Sequence, residues 1–162
     1  MRHESLILAL AALLAIPSCA SKSEGALSMH IQRGDQLAAQ ANQAFQKKET
    51  REEGKRLSRE ALAAYQAALT EAPGDGKILF CIGAQHFNLG QLPESIASYE
   101  KAVPALQREG KQELLLKAKG YLAGDYLQSG RKPDAVRLCD EVLAVDPKND
   151  MALQIRKYAS QP

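Results

Sequence analysis

The sequence is poor in large aromatic side chains and in net charge. It has no Trp, and aromatic residues make up only 5% of its 162 residues. Alanine and leucine must therefore supply most of the packing in the core, which at this length is that of one modest domain. The formal charge of +2 comes from 21 basic and 19 acidic residues. This balance creates no single-sign field, which argues against nucleic acid as a partner.

Motifs for catalysis and for cofactor binding are also lacking. The chain contains no HExxH, GxSxG, P-loop or CxxC pattern. His30 and His86 form no constellation with each other or with the acidic residues, and His86 is interpreted as a packed or partly exposed structural side chain. We therefore expect no enzyme, no cofactor and no metal site.

Cysteine is scarce, with three in the chain. Cys81 and Cys139 lie in stretches of helical pattern, and neither has a spacing to His or Cys that is typical of metal ligands. Each is predicted to be a small buried apolar residue. A disulfide between the two stays open as an alternative that nothing in the sequence supports.

No apolar run is long enough to cross a membrane. The run Leu6–Ile16 has eleven residues. As a helix it would be about 16 Å long, whereas the hydrocarbon core of a bilayer is about 30 Å thick. Since it follows the short basic start Met1–His3, it predicts a signal peptide over residues 1–18.

Residues 16–19 (IPSC) resemble the bacterial lipobox, in which the Cys becomes the lipidated N-terminus. The resemblance implies a lipid on Cys19. Because Ala20 follows it, rather than Asp, the resemblance also implies the outer membrane, with the protein facing the periplasm. The same stretch fits ordinary signal peptidase, which would release a soluble chain beginning at Ser21. Residues 19–28 are polar and aperiodic, and they are predicted to form a flexible tether.

From Met29 onward the apolar residues follow a helical period. They recur at three- and four-residue spacing, as at Leu57, Ala61, Ala64 and Ala68, and no stretch alternates as a strand does. The folded region is predicted to be all-α and to cover residues 29–159. Gly and Pro interrupt the pattern at Pro73, Gly90, Gly110, Gly130 and Pro147.

The helical segments repeat along the chain. Residues 79–102 match residues 119–142 in side-chain size, and residues 61–69 match residues 95–103. This resembles the tetratricopeptide repeat (TPR), in which a helix with a central small residue packs on a second helix bearing Ala, an aromatic residue and Ala. The family's Asp-Pro exit is matched by residues 146–147.

The resemblance implies a short solenoid of about three antiparallel helix pairs and a C-terminal capping helix. The units would cover residues 29–74, 75–110 and 111–148, with the cap at 149–159. Gly83 and Ala123 are expected to let paired helices approach closely, and larger side chains are expected to fill the space between the helices of each pair. These are Tyr65, Tyr99 and Cys139.

Two segments depart from the 34-residue period of the family. Residues 47–56 are nearly all charged and are predicted to form a solvated helix extension or loop, with a binding patch as the alternative. Six extra residues lie around residues 104–112, where Pro104 is expected to bend or end a helix.

In this family the first helix of each pair lines a concave groove that recognises extended or helical segments of other proteins. Helical spacing predicts an apolar groove floor edged by lysines and amides. The candidate residues are Ala38, Asn42, Phe45, Lys77, Phe80, Ala84, Phe87, Asn88, Lys117, Gly120, Gly124 and Leu127.

Some groove candidates have a structural alternative. Phe80 and Phe87 also fit a buried core stripe. Gly120 and Gly124 each cost a helix interior about 1 kcal/mol, so either a ligand or a closely packed helix should approach them.

Some family members clamp a C-terminal carboxylate with Lys, Asn and Arg from successive groove helices. Here Ala84 stands where the Asn would be expected and Tyr121 where the Arg would be. The resemblance therefore implies an adaptor that binds another protein or peptide in the cell envelope without such a clamp. A self-associating structural module, with the chain as a homo-oligomer, is the alternative.

Overall fold

The computed structural model describes residues 19–161, and side chains from residue 24 onward. These residues form seven α-helices and one short 3₁₀-helix, with no strand among them. The all-α prediction is confirmed. The helices are α1 (Cys19–Phe45), α2 (Arg51–Glu71), α3 (Gly76–Asn88), α4 (Leu92–Arg108), α5 (Gln112–Gln128), α6 (Lys132–Leu143) and α7 (Asp150–Ala159), and the 3₁₀-helix covers Lys48–Thr50.

Short turns place successive helices antiparallel, as three pairs (α1–α2, α3–α4, α5–α6) followed by α7. In the first pair Gly34 lies against Tyr65, whereas Phe45, at the end of α1, lies against Gly54, near the start of α2. The turns after α3 and α5 contain Gly90 and Gly130 at φ of 75° and 82°. Side chains rarely adopt this backbone conformation, so these two glycines end the helices as their positions predicted.

Each close helix contact pairs a small residue with a large one. A Cβ atom on Gly83 would lie 2.9 Å from the Tyr99 ring, and one on Gly34 would lie 2.6 Å from the Tyr65 ring. Both tyrosines are almost fully buried, as is Cys139 in the third pair. The predicted packing roles of Gly83, Tyr65, Tyr99 and Cys139 are confirmed, and Gly34 is an equivalent position that the sequence pattern did not identify.

The core is continuous along the stack. Buried residues form three clusters, and half-buried side chains join them: Leu69 contacts the first two clusters along the stack, and Phe80 contacts the last two. No single pair encloses its own apolar side chains, which is the packing expected of a repeat array.

The N-terminal boundary of the folded region is earlier than predicted. Residues 19–28, expected to be a flexible tether, form the first part of α1. Leu27 and Ile31 pack against the first core cluster, so their burial favours helix over the polar composition around them. Residues 1–18, and with them the predicted signal peptide, lie outside the described residues. Among the helices that are described, none is long and apolar enough to cross a membrane.

The charged segment 47–56 forms the 3₁₀-helix and the first turns of α2, as the solvated alternative predicted. Its charges pair on the surface, where Lys55 contacts Glu52 at 2.8 Å and Arg56 contacts Glu53 and, just beyond the segment, Glu60. Such exposed pairs contribute little to stability.

Pro104 was predicted to bend or end a helix, and of these two alternatives the structure contradicts the helix end. It lies inside α4, on the solvent-exposed side, and the helix continues to Arg108. The last turn is held by burial of Ala105 and Leu106. Just beyond it, Glu109 accepts a hydrogen bond from the backbone N–H of Gly76, at 2.8 Å. These contacts offset the backbone bond that Pro104 removes.

The last helix, α7, occupies the place of a fourth groove helix. It runs parallel to α5, because Met151 lies opposite Gly120 and Ile155 lies opposite Gly124. Its start is capped by Asn149, whose side chain accepts from the N–H of Ala152 at 3.1 Å. The structure thus contains the predicted C-terminal cap.

Candidate functional site

The candidate groove is formed by the first helix of each pair, with α3 between α1 and α5. Two contacts join α3 to α1: Lys77 Nζ lies 3.0 Å from Asp35 Oδ2, and the Asn88 amide donates to Asn42 Oδ1 at 3.4 Å. On its other side α3 contacts α5, since the rings of Phe80 and Tyr121 are 5.8 Å apart. Four of the predicted groove residues, Asn42, Lys77, Phe80 and Asn88, are therefore brought together by the fold.

An aromatic cluster lies where α3, α4 and α5 meet. Phe80 is 5.6 Å from Tyr99, and the Tyr99 and Tyr121 rings are stacked 6.0 Å apart. Tyr99 is buried, Phe80 is half-buried, and Tyr121 is 43% exposed. The cluster thus has a rigid base in the core and one ring that faces solvent.

Phe87 is the most exposed aromatic side chain of α3, at 50%. It shares the inner stripe of the helix with Lys77, Phe80 and the half-buried Ala84 by helical spacing. An exposed Phe on a rigid helix costs solvation free energy that binding of an apolar group would recover. Phe80 is therefore partly a core residue, as the alternative interpretation predicted, whereas Phe87 is not.

The two groove lysines are neutralised within the chain. Lys77 pairs with Asp35, which also accepts a hydrogen bond from the Tyr65 hydroxyl at 2.7 Å. Lys117 pairs with Glu113 at 2.7 Å, and this hydrogen bond raises the pKa of Lys117. Neither cation is left without a carboxylate, so the groove has little charge to offer a free C-terminus.

Gly120 and Gly124 do not deepen an open groove. A Cβ on Gly120 would lie 3.0 Å from Met151 Sδ, and one on Gly124 would lie 3.7 Å from Ile155. Of the two alternatives for these glycines, close helix packing is the one found, with α7 as the approaching helix. Leu127 is half-buried against the core of the third pair, so it also contributes packing.

Of the residues predicted for the first groove helix, Asn42 lies beside α3, whereas Phe45 and Ala38 pack against other parts of the first pair. Phe45 packs on Gly54 at the end of the first pair, because its ring lies 3.1 Å from where a Gly54 Cβ would be. Ala38 is half-buried against the first core cluster. The residue that contributes to the groove there is Asp35, which follows Gly34 as Ala84 follows Gly83. This shared order of a small packing residue and then a groove residue is the signal that could have found it.

The cysteines and His86 do not form a reactive site among the described residues. Cys81 and Cys139 are both free, and burial raises the pKa of Cys81 to about 11, which leaves it an unreactive thiol. His86 Nδ1 lies 2.8 Å from Gln91 Oε1. No group of three or more metal-ligating residues occurs in the described part of the chain.

Asp125 is a buried acidic group behind the groove. Its Oδ2 lies 2.6 Å from Ser95 Oγ, which also lies 3.1 Å from the Gly83 carbonyl. Burial raises the pKa of Asp125, and the hydrogen bond from Ser95 partly opposes that effect. Because it is 1% exposed, it joins the two pairs and is out of reach of a groove ligand.

Comparison with known proteins gives a structural likeness only. No family model matches the sequence, and no curated protein matches it. Among solved structures, the first TPR domain of Spaghetti (RPAP3), bound to the HSP90 peptide SRMEEVD, has a TM-score of 0.61 and 18% sequence identity. The match covers 81% of this chain and 93% of that one. Together with the antiparallel pairs and the cap, this likeness shows that the chain has an all-α, TPR-like solenoid fold.

Proposed function

We propose that the protein is a non-enzymatic interaction module that binds a peptide segment of another protein in the groove formed by α1, α3 and α5. The observation that carries the proposal is the half-exposed Phe87, in one stripe with the aromatic cluster and beside the Asn42–Asn88 pair. Apolar rings would bury side chains of the ligand, and the amides would bond its backbone. The structurally similar TPR domain of Spaghetti is itself bound to a peptide.

The ligand of this groove should be apolar and close to neutral. Lys77 and Lys117 already have carboxylate partners, and Ala84 and Tyr121 supply no amide or guanidinium for a terminal carboxylate. An internal segment with one or two bulky apolar side chains fits this surface. With only three pairs the contact area is small, which suits weak binding.

A peptide selected on the full chain from a random library would test the groove. Phe87→Asp places a charge on the exposed aromatic stripe, and we expect it to raise the Kd of the selected peptide roughly tenfold or more, measured by calorimetry. The matched control is Val145→Asp, at a 56% exposed apolar residue in the turn before α7. Equal loss in both variants, or no loss in either, would contradict a site in the groove.

The peptide SRMEEVD provides a second test of ligand class. We expect it to bind this chain no better than the same peptide with an amidated C-terminus, because the groove lacks free cations for the terminal carboxylate. A clear preference for the free carboxylate would show that the lysines exchange their partners for the ligand.

We further propose that the module is exported and held at the periplasmic face of the bacterial outer membrane by a lipid on Cys19. The lipobox-like residues 16–19 support the attachment site. Cys19 is the first residue of α1, and Leu27, which packs on the core, follows it by eight residues. At 1.5 Å per residue the anchor would lie roughly 12 Å from the core along the helix.

Intact mass of the native protein tests the anchor. A chain that begins at Cys19 with added acyl mass is expected, and it should partition into the membrane fraction. Cys19→Ala should abolish both properties. An unmodified chain beginning at Ser21 would instead establish the secreted soluble form.

Self-association is the second candidate function. Val145 and Leu153, near the C-terminal end of the stack, are 56% and 44% exposed, and a second copy could cover them. Light scattering over a hundredfold concentration range would measure this. A strict monomer excludes it, whereas a dimer that Leu153→Asp dissociates would support it.

A further inference from the structure

A cleft of about 690 Å³ lies outside the groove, between α2 and α4. Its apolar wall is made by Leu69 of α2, Leu79 of α3, and Pro104 and Ala105 of α4. Clefts that hold small molecules typically measure about 300–1,000 Å³. This cleft has the size and the apolar wall of such a site, and the groove function does not use it.

Pro104 lies in the wall of this cleft. Pro104 has no N–H, so it cannot donate the usual helical hydrogen bond to the carbonyl of Glu100, one turn earlier. Since α4 nevertheless continues to Arg108, the wall from residue 100 to residue 108 is roughly 12 Å long. That length accommodates a medium-length acyl chain.

The rim of the cleft carries an unbalanced positive charge. Lys101 and Arg108 both line it, two helical turns apart on the same face of α4, and neither forms an ion pair within residues 24–161. The acidic residue of the lining, Glu100, is already engaged: its carboxylate accepts from the Tyr126 hydroxyl at 2.7 Å and lies 3.4 Å from Arg131. An anionic group at the rim would therefore be paired by cations that are otherwise free.

We propose that the cleft between α2 and α4 binds a free fatty acid. The acyl chain would lie along Leu69, Leu79 and Pro104, with the carboxylate at the Arg108 end of the wall. Lys101, at the other end, would pair with the carboxylate of a chain bound in the reverse direction. An apolar wall that ends in a cation is complementary to a long molecule with a single charged end. A guanidinium pairs with a carboxylate through two parallel hydrogen bonds, which favours Arg108 as the main contact.

Calorimetry of the full chain with sodium decanoate, below its micellar concentration, tests the proposal. One equivalent is expected to bind, 1-decanol is expected to bind more weakly, and acetate is expected not to bind. The double variant Lys101→Ala and Arg108→Ala should weaken decanoate roughly tenfold or more and leave 1-decanol unchanged, because only the carboxylate loses its partners. The matched control is the double variant Lys148→Ala and Lys157→Ala, which removes the same charge from exposed positions outside the lining.

A second variant tests whether the acyl chain binds in this cleft. Thr70→Trp adds bulk at an exposed position of the cleft lining, and it should block both decanoate and 1-decanol while leaving the thermal midpoint of the free protein unchanged. Binding that survives this variant, binding of many equivalents, equal effects in the control, or no binding would each overturn the proposal. So would a dimer by light scattering that Thr70→Trp dissociates, since the cleft would then be a contact between two copies.

Discussion

Gly34 marks a very close approach between paired helices. A Cβ there would lie 2.6 Å from the Tyr65 ring, which cannot move aside because it is 2% exposed and its hydroxyl is bonded to Asp35. We expect Gly34→Ala to lower the free energy of unfolding by about 1–2 kcal/mol, because overpacking exceeds the gain in helix propensity. Gly25→Ala in the same helix, with no atom within 4 Å, should instead raise it by up to about 1 kcal/mol. Urea unfolding of both variants measures the contrast, and equal effects would contradict it.

Asp125 should make stability depend on pH in a direction that its burial determines. Burial raises the pKa of Asp125 in the folded state, so folding penalises the charged carboxylate. This cost is absent when the pH is below the pKa of Asp125 in the unfolded chain, about 4. It is present in full once the pH exceeds the pKa of Asp125 in the folded protein. Asp125→Asn retains an amide oxygen that can accept the hydrogen bond from the Ser95 hydroxyl, and it carries no charge. It should therefore be more stable than the native chain at pH 7, by a margin that shrinks as the pH falls to 4. Urea midpoints at both pH values test this, and a constant margin would refute it.

Two prolines of α4 show how position in a helix decides the effect of one residue type. Pro93 lies in the first turn, where a missing N–H costs nothing, whereas Pro104 lies in the interior. We expect Pro104→Ala to raise the free energy of unfolding by about 1–2 kcal/mol, since an interior Pro costs about 3 kcal/mol and part of the gain is offset by the freer unfolded chain. Pro93→Ala should change it little. Equal changes in the thermal and urea midpoints of the two variants would contradict this difference between the first turn and the helix interior.

The helices themselves could be predicted from local signals. Apolar spacing and the glycines at positions 90 and 130 locate the turns, and the Ala-aromatic-Ala pattern around Tyr65 and Tyr99 predicts which side chains fill each pair. These signals hold because helix length and turn conformation depend mainly on neighbours in sequence.

The misplaced elements depend on contacts that are distant in sequence. The start of α1 depends on Leu27, which packs on the first core cluster, and the position of Asp35 depends on its contacts with Tyr65 and Lys77 of later helices. The end of α4 depends on burial of Leu106, which overrides Pro104. In the candidate site, Asp35 was missed for the same reason, and the aromatic contacts of Tyr121, which the sequence placed only at the position of a clamp Arg, were not predicted. Their roles follow from the neighbouring helix rather than from their own.

At the scale of the whole molecule, α7 closes the stack by covering the third pair. Ala152 lies on the face of α7 that packs on the third pair and is fully buried, whereas the adjacent Leu153 is 44% exposed. Ala152→Asp would bury an unpaired charge, and we expect it to cost about 3 kcal/mol or more and to detach the cap, with faster hydrogen exchange over residues 150–159. Leu153→Asp introduces the same charge one residue later and should cost under about 1 kcal/mol. If both variants kept slow exchange in α7, the cap would be stabilised by its contacts with α5 at Gly120 and Gly124 rather than by the face that contains Ala152.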